Sequence, residues 1–169
     1  MSTIYHQFSP VSAILSATTP AALGFKSGTN FPIQTIDFDA SADEQVFFLF
    51  RATDYGSGNL TLGIDWYADT GSSGNVVWEA QLACITPDTD TQDIETKAFA
   101  ALNFVQDTHL GTTAQRLHRA VLTVSNLDAL AANDWCVLRL ARDANGTSAT
   151  DDLTGDASLV LLTLSYSDT

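Results

Sequence analysis

Residues 59–68 read NLTLGIDWYA and residues 75–86 read NVVWEAQLACIT, and these two stretches decide the fold. In both, apolar side chains occupy every second position. The apolar set is Leu60, Leu62, Ile64 and Trp66 in the first stretch and Val76, Trp78, Ala80, Leu82 and Cys84 in the second. A period of two is typical of a β-strand with one buried face. The pattern therefore predicts two strands whose apolar sets lie in a core.

Further segments are also typical of strands: 31–38, 44–52, 116–125, 134–143 and 157–166. Residues 44–52 (EQVFFLFRA) are continuously apolar in the middle, which favours a strand buried on both faces. In the last segment the predicted inward set is Val160, Leu162, Leu164 and Tyr166. The connection 69–75 is rich in Gly, Ser and Asn and indicates a hairpin. Residues 94–105 fit a helical turn or a strand equally well.

The composition supports an all-β fold. The 169 residues include seventeen Asp but only three Glu and two Lys, so good helix-surface residues are scarce and turn-forming residues are abundant. No predicted helix is long enough to cover a parallel sheet. About eight strands separated by turn signals predict an antiparallel β-sandwich of the jelly-roll type.

The predicted domain organisation is an N-terminal arm and lead-in strand over residues 1–30, followed by one jelly-roll domain over residues 31–169. The first thirty residues carry a single formal charge, Lys26, and show no clean period. They fit a first strand with an irregular lead-in, or an extended arm that packs on a neighbouring subunit through Ile4, Tyr5 and Phe8. Both interpretations stay open at this point.

The formal net charge is −13. Affinity for nucleic acid comes mainly from basic contacts with phosphates, so a chain this acidic with scattered arginines is not expected to bind it. No apolar run approaches the roughly 20 residues that cross a bilayer. The N-terminal stretch lacks a basic start and contains Pro10, which argues against a secretory signal.

Residues 69–73 read DTGSS, the motif of the catalytic loop in pepsin-like aspartic proteases. That chemistry needs two aspartates that share one proton. The chain holds no second Asp-Thr-Gly or Asp-Ser-Gly, and His109-Leu110-Gly111 is a poor match to the supporting motif. We therefore expect a loop at Asp69, no catalytic residues and no enzymatic activity.

Metal sites have weak support in the sequence. The histidines His6, His109 and His118 show no zinc-ligand spacing. Two acidic clusters have the oxygen ligands that calcium takes: Asp88, Asp90 and Asp93, and Asp143, Asn145, Asp151 and Asp152. Neither has the pattern of an EF-hand, and acidic loops are commonly just solvated. We expect no metal and no cofactor.

The aromatic residues outside the core suggest an interface. Trp66 and Trp78 share their faces with aliphatic neighbours, which predicts burial. Tyr67 and Trp135 fall on more polar faces, where a subunit interface is favoured over a carbohydrate platform. Cys84 and Cys136 both lie on apolar strand faces, as buried thiols or as a disulfide.

Several pieces of the chain, taken in their order from about residue 23 to residue 166, resemble the jelly-roll virion proteins of tailed bacteriophages. The pieces are LGFKSGTNF (23–31), IDFDASADEQVFFLFR (36–51), DYGSGNLTL (54–62), WYADTGSSGNVVW (66–78), NDWCVLRLARD (133–143) and GDASLVLL (155–162). Their order carries the resemblance, and the segment covers about four-fifths of the chain. In this family the Asp69 motif is a loop before a strand. Thr53 stands where the family often has Pro.

The resemblance implies a structural protein. Such proteins are capsid cement or decoration subunits, or modules of tail fibres and spikes, and are commonly trimers. A short N-terminal arm without fibre-like repeats favours a capsid decoration protein. The expected partners are other copies of the chain, in a homotrimer, and the phage major capsid protein.

The expected location is the capsid surface of a virion assembled in the bacterial cytoplasm. The expected capsid or subunit contacts are Ile4, Tyr5, Phe8, Tyr67 and Trp135. The alternative from the same resemblance is a receptor-binding or glycan-binding module of a tail fibre or spike.

Overall fold

The structure is a computed structural model that describes residues 2–168. Eleven strands run through this part of the chain, with one short 3-10 helix at Pro10–Ser12. The strands are β1 (Thr3–Phe8), β2 (Ile14–Leu15), β3 (Ala22–Lys26), β4 (Ile33–Phe38), β5 (Glu44–Arg51), β6 (Tyr55–Ala68), β7 (Gly74–Ile85), β8 (Asn103–His109), β9 (His118–Val124), β10 (Trp135–Arg142) and β11 (Ala157–Asp168).

The strands form two antiparallel sheets that pack face to face. The front sheet has the order β3-β4-β11-β6-β9, with β1 also paired to β11. The back sheet has the order β2-β5-β10-β7-β8. Two antiparallel sheets with non-sequential neighbours confirm the predicted jelly-roll sandwich.

The core lies between the sheets and is made by the alternating apolar sets. Every member of the two sets that the opening stretches predict is buried, Trp66 and Trp78 completely. These two indole rings meet edge-to-face across the sandwich, with centroids 6.0 Å apart and an interplanar angle of 68°. Edge-to-face contact is the preferred geometry for aromatic pairs. The prediction that both tryptophans lie in the core is confirmed.

The connection between β6 and β7 is not a hairpin, and that prediction is wrong. β6 pairs with β9 and β11 in the front sheet, whereas β7 pairs with β8 and β10 in the back sheet. Residues 69–73 therefore cross from one sheet to the other. Gly74 begins the second strand where a Cβ would lie 2.8 Å from the Cα of Leu153, so close packing requires glycine there.

Two predicted faces differ in the structure. Only one face of β5 is fully buried, since Leu49 remains 46% exposed and Phe47 stacks on Phe99. In β11 the register shifts between Leu159 and Leu161, which moves Val160 from the predicted inward face to the outer one. The extra residue of a β-bulge breaks the period of two.

The first thirty residues pair with strands of the same chain. β1 pairs with β11, β2 with β5 and β3 with β4. At the end of the β1–β11 pair, the Ser2 amide donates to the Asp168 carboxylate at 2.5 Å, and the Asp168 amide donates to the Ser2 carbonyl at 3.1 Å. The ambiguous segment 94–105 is irregular up to residue 102 and then enters β8.

Candidate functional site

A groove opens on the outer face of the front sheet, where the β3–β4 turn stands beside the chain that leads into β9. Its volume is about 850 Å³. The lining residues are Phe25, Lys26, Ser27, Gly28, Phe31, Ile33, Tyr67, Asp69, Gln115, Leu117 and Val160. The groove thus brings together the β3–β4 turn (residues 25–33), the end of β6 (67–69), the residues before β9 (115–117) and Val160 of β11.

The β3–β4 turn forms one rim of the groove. Gly28 has φ +54°, and a Cβ there would lie 2.2 Å from the Phe31 carbonyl oxygen, so the turn needs glycine on both counts. Pro32 restricts the preceding residue, Phe31, to extended backbone. Phe25 and Phe31, on the two sides of this turn, are each 67% exposed. The turn therefore holds two aromatic rings toward solvent.

The floor and the opposite wall are also largely apolar. Tyr67 and Val160 form the floor, and Leu117 rises opposite with 62% of its surface exposed. Tyr67 lies on the outer face but is only 4% exposed, because the groove walls cover it. This burial raises the pKa of the Tyr67 hydroxyl. Tyr67 is therefore a protonated floor residue at neutral pH.

The charges in the groove are paired with each other. The Lys26 ammonium lies 3.3 Å from the Asp69 carboxylate and 3.4 Å from that of Asp37. Gln115 donates to the other oxygen of Asp69 at 3.0 Å. Burial opposes the charge of Lys26, but the two carboxylates outweigh it and raise the Lys26 pKa. The groove thus presents apolar surface beside a compact, internally paired polar cluster.

The hydrogen bond from Gln115 and the contact with Lys26 lower the pKa of Asp69, against partial desolvation. The carboxylate is therefore ionised at neutral pH and engaged by protein donors. These contacts tie the connection between β6 and β7 to β3 and to the residues before β9.

The rest of the front sheet's outer face is mixed. Tyr5 lies opposite Ser165 in the register and is 69% exposed. Val121 lies opposite Gly63 and is 56% exposed. Arg119, paired with Asp65, lies between Leu117 and Val121 on the outer face, so Tyr5 and Val121 are single exposed apolar side chains outside the groove.

The five interface residues expected from the sequence are not brought together. Tyr5 and Tyr67 share the outer face of the front sheet. Ile4 and Phe8 turn inward, Phe8 as a buried member of the core and Ile4 packed against it. Trp135 lies half-buried in the back sheet, opposite Arg51 and Ile85. Tyr5 is the exposed member of the five, Ile4 and Trp135 are partly exposed, and Tyr5 and Trp135 lie in opposite sheets.

Sequence reasoning missed the most exposed groove residues, Phe25, Phe31 and Leu117. The sequence did carry a signal at the first two, since they flank a Gly-containing turn that ends in Pro32. No periodic pattern connects them with Leu117, because the β4, β11 and β6 strands lie between those segments in the sheet.

Asp151, in one of the two acidic clusters, is paired with a buried arginine. Arg142 is completely buried and donates to both carboxylate oxygens of Asp151, at 3.0 and 2.8 Å. Its remaining bonds go to the carbonyls of Phe38, Leu153 and Gly155. Asp143 instead accepts from the backbone amides of Thr147 and Ser148. The guanidinium thus supplies the positive charge that a cation would bring to this loop.

The other acidic cluster is held by local backbone donors. Asp90 accepts from the Thr86 amide at 2.8 Å, and Asp93 accepts from the Glu95 amide at 2.9 Å. Over residues 2–168, no group of three or more His, Cys, Asp or Glu side chains has an arrangement that could hold a metal ion.

Two histidines meet at the β8–β9 side of the sandwich. The ring centroids of His109 and His118 are 4.8 Å apart with an interplanar angle of 64°, and both rings lie beside Trp66. Burial, followed by the nearby His109, lowers the pKa of His118. The neutral form of the His118 ring is therefore favoured.

Residues 2–168 contain no helix with the length and apolar character that crossing a membrane requires.

The chain matches no family model and no curated protein. Its likeness is to solved structures with a similar fold. An isomalto-dextranase from Arthrobacter globiformis T6, complexed with panose, aligns with a TM-score of 0.51 and 14% identity. The alignment covers 95% of this chain but only 23% of that enzyme's chain.

Two complete modules align along their whole length. The mannan-recognising carbohydrate-binding module TmCBM27 gives a TM-score of 0.51 at 8% identity, covering 99% of each chain. The CBM36-1 domain of a xylanase from the hindgut metagenome of Trinervitermes trinervoides gives 0.50 at 6% identity, covering 98% of this chain and 100% of that one. At these identities the likeness establishes the jelly-roll fold alone.

Proposed function

We propose that this chain is a structural virion protein of a tailed phage that decorates the capsid by binding the major capsid protein. The observation that carries the proposal is the apolar groove on the front sheet, with Phe25, Phe31 and Leu117 each about two-thirds exposed. Side chains of this size and exposure gain free energy when a partner covers them, about 1.5–3 kcal/mol for each one fully buried. The resemblance of ordered sequence pieces to phage virion proteins supports the choice of partner.

The charge of the groove indicates the chemistry of the capsid segment it would take. The protein as a whole carries −13, but inside the groove Asp69 is already engaged by Lys26 and Gln115, and Lys26 also contacts Asp37 beside the groove. A basic segment would have to break these pairs, whereas an apolar segment would leave them intact. We therefore propose that an apolar segment of the capsid protein lies against Phe25 and Phe31.

Capsid binding is tested by co-sedimentation with capsids assembled from the major capsid protein encoded in the same genome. Phe31→Ser removes one groove ring and is expected to weaken binding by about 10- to 100-fold, the equivalent of burying one large apolar side chain. Phe104→Ser is the matched control, because Phe104 is 51% exposed on the edge strand of the back sheet. Equal capsid occupancy of Phe31→Ser and Phe104→Ser would contradict the proposal.

The proposed homotrimer uses the opposite side of the molecule. Trp135 lies there beside Val137, which pairs with the 46%-exposed Leu49. A trimer would have a mass three times the 18.1 kDa of the chain. We expect the Trp135→Ser protein to sediment as a monomer, and not as a trimer, in analytical ultracentrifugation. Because each copy is strongly acidic, raising the salt concentration should favour the trimer. A wild-type monomer at all concentrations would exclude this assembly.

A second candidate function is glycan binding, and the groove again supports it. Exposed Phe25 and Phe31 rings stand beside the Asp69 and Gln115 polar groups, a combination that suits the mixed apolar and hydroxyl surfaces of a sugar. Titration with a panel of oligosaccharides distinguishes it. Saturable binding lost in Phe31→Ser would favour a receptor-binding module, and glycan binding lost in Trp135→Ala would instead assign the back sheet.

We further propose that the protein has no catalytic function, because the carboxylate of Asp69 is already bound by Lys26 and Gln115. The test is peptide hydrolysis measured with wild type and Asp69→Asn. Cleavage by wild type that Asp69→Asn abolishes would overturn this part of the proposal.

A further inference from the structure

The two cysteines face each other across neighbouring strands. Cys84 of β7 lies directly opposite Cys136 of β10 in the antiparallel register. Both side chains point into the core, with exposures of 2% and 0%. They are 52 positions apart in the sequence, so only the sheet brings them together.

The geometry of this pair suits a covalent bond. The two Sγ atoms are 3.0 Å apart. Directly opposed residues in an antiparallel pair have Cα atoms about 4.5–5.5 Å apart, which lies within the roughly 4.4–6.8 Å that disulfides span. Bond formation would therefore draw the sulfurs together by side-chain rotation, with the register of β7 and β10 unchanged. We propose that Cys84 and Cys136 are a modification site, forming a cross-strand disulfide with a small-molecule disulfide as oxidant.

The thiols of the folded protein are expected to react slowly. The hydrogen bond between the two sulfurs and burial both raise the pKa of Cys84, so little thiolate exists at neutral pH. Thiolate is the reactive form in disulfide exchange. The Cys84 amide is also tied to the Asp128 carboxylate at 2.7 Å, which holds the segment after β9 over this strand. Oxidation should therefore be fastest while the chain folds.

The reaction balances with glutathione disulfide as the oxidant. One cysteine thiolate attacks a sulfur of glutathione disulfide, forming a mixed disulfide and releasing one glutathione thiolate. The second cysteine thiolate then attacks the protein sulfur of the mixed disulfide and releases the other glutathione thiolate. The protein loses two protons and two electrons in total, and the oxidant is reduced to two molecules of glutathione after the leaving thiolates are protonated.

Closing this loop should stabilise the fold. A disulfide restricts the unfolded chain, and the effect increases with the number of residues enclosed. For a loop of this length in a domain of this size, we expect the melting temperature to rise by about 5–15 °C. The effect concerns the core and is independent of what the front-sheet groove binds.

The experiment refolds the full chain from denaturant in a glutathione buffer rich in the disulfide form, and in parallel under reducing conditions. The expected product of the first is a monomer lighter by two hydrogens, with a non-reduced peptide map that links Cys84 to Cys136. Its melting temperature should exceed that of the reduced protein by the stated range. Free thiols or glutathione adducts after equilibration, or a lower melting temperature of the linked form, would overturn the proposal.

Single variants provide the control. Cys84→Ser and Cys136→Ser each leave one thiol, so each should retain its mass in the oxidising buffer or gain a glutathione, and neither should show the rise in melting temperature. If a variant does not fold, the comparison of oxidised and reduced wild type remains decisive. An equal rise in Cys84→Ser would show that the oxidising buffer, and not the cross-link, causes it.

Discussion

Replacing Arg142 by methionine is the sharpest test of what holds the sandwich together. The Arg142 guanidinium is completely buried and bonds both oxygens of Asp151, whose side chain is 1% exposed, together with three backbone carbonyls. Arg142→Met would leave the Asp151 carboxylate buried with the Val77 amide as its remaining donor, at 3.0 Å. Removing one partner of a buried ion pair costs about 3–5 kcal/mol. For a domain of this size that is a fall in melting temperature of about 6–20 °C.

The assay is urea unfolding followed by tryptophan fluorescence, with Arg119→Met as the matched control. Arg119 also holds an aspartate, Asp65, through two nitrogens, but its side chain is 58% exposed. Exposed pairs contribute about 0–1 kcal/mol, and although Asp65 is only 8% exposed, water reaches this pair from the Arg119 side. Arg119→Met should therefore cost clearly less than Arg142→Met. Arg142→Met/Asp151→Asn should recover part of the loss, because the buried charge is gone and a carbonyl oxygen can still accept from Val77. Equal costs for Arg142→Met and Arg119→Met would refute the reasoning.

Further predictions concern pH, the β3–β4 turn and the core. Burial first, and then His109, lowers the pKa of His118 below its ordinary value, and burial does the same for His6. At a pH between the folded and the ordinary pKa values, the unfolded chain therefore binds more protons than the folded chain. The stability that the neutral histidines contribute should be fully present above about pH 6.5 and be lost as the pH drops through the folded pKa values. Urea unfolding between pH 5 and 8 measures this, His118→Gln should reduce the slope, and an unchanged slope would contradict the assignment. Gly28→Ala should lower the melting temperature more than Gly58→Ala, since both have positive φ but a Cβ is obstructed at Gly28 and meets nothing within 4 Å at Gly58. Equal calorimetric shifts would show that backbone strain alone decides. Leu82→Ala, at a fully buried core position, should cost about 2–5 kcal/mol in urea unfolding, and a cost below 1 kcal/mol would contradict its placement in a tightly packed core.

The sequence predicted the strands and most of their buried faces because alternation is a local property. Trp66 and Trp78 are buried as the period of two requires. Sheet membership is decided by distant pairings, which is why the 69–73 connection was expected to form a hairpin although it joins two sheets. Val160 was assigned to the wrong face because one extra residue in β11 reverses the alternation without any signal in residue type.

The candidate site was less predictable than the fold. Its polar cluster joins Asp69 to Lys26 and Gln115, which are 43 and 46 positions away. Those contacts depend on the order of strands in the front sheet, and no local pattern of residues specifies that order. Tyr67 was correctly placed on an outer face, but its low exposure comes from groove walls that no local pattern describes.

The pairing of β1 with β11 brings Ser2 and Asp168 into direct hydrogen bonding. A linker of a few residues could therefore join residue 2 to residue 168, and new ends could be opened in the exposed 88–93 segment without cutting a strand. Such a circular permutant would carry a fused peptide at the 88–93 segment, away from residues 2 and 168, while keeping both sheets. For engineering, the molecule is thus a scaffold whose point of attachment can be moved.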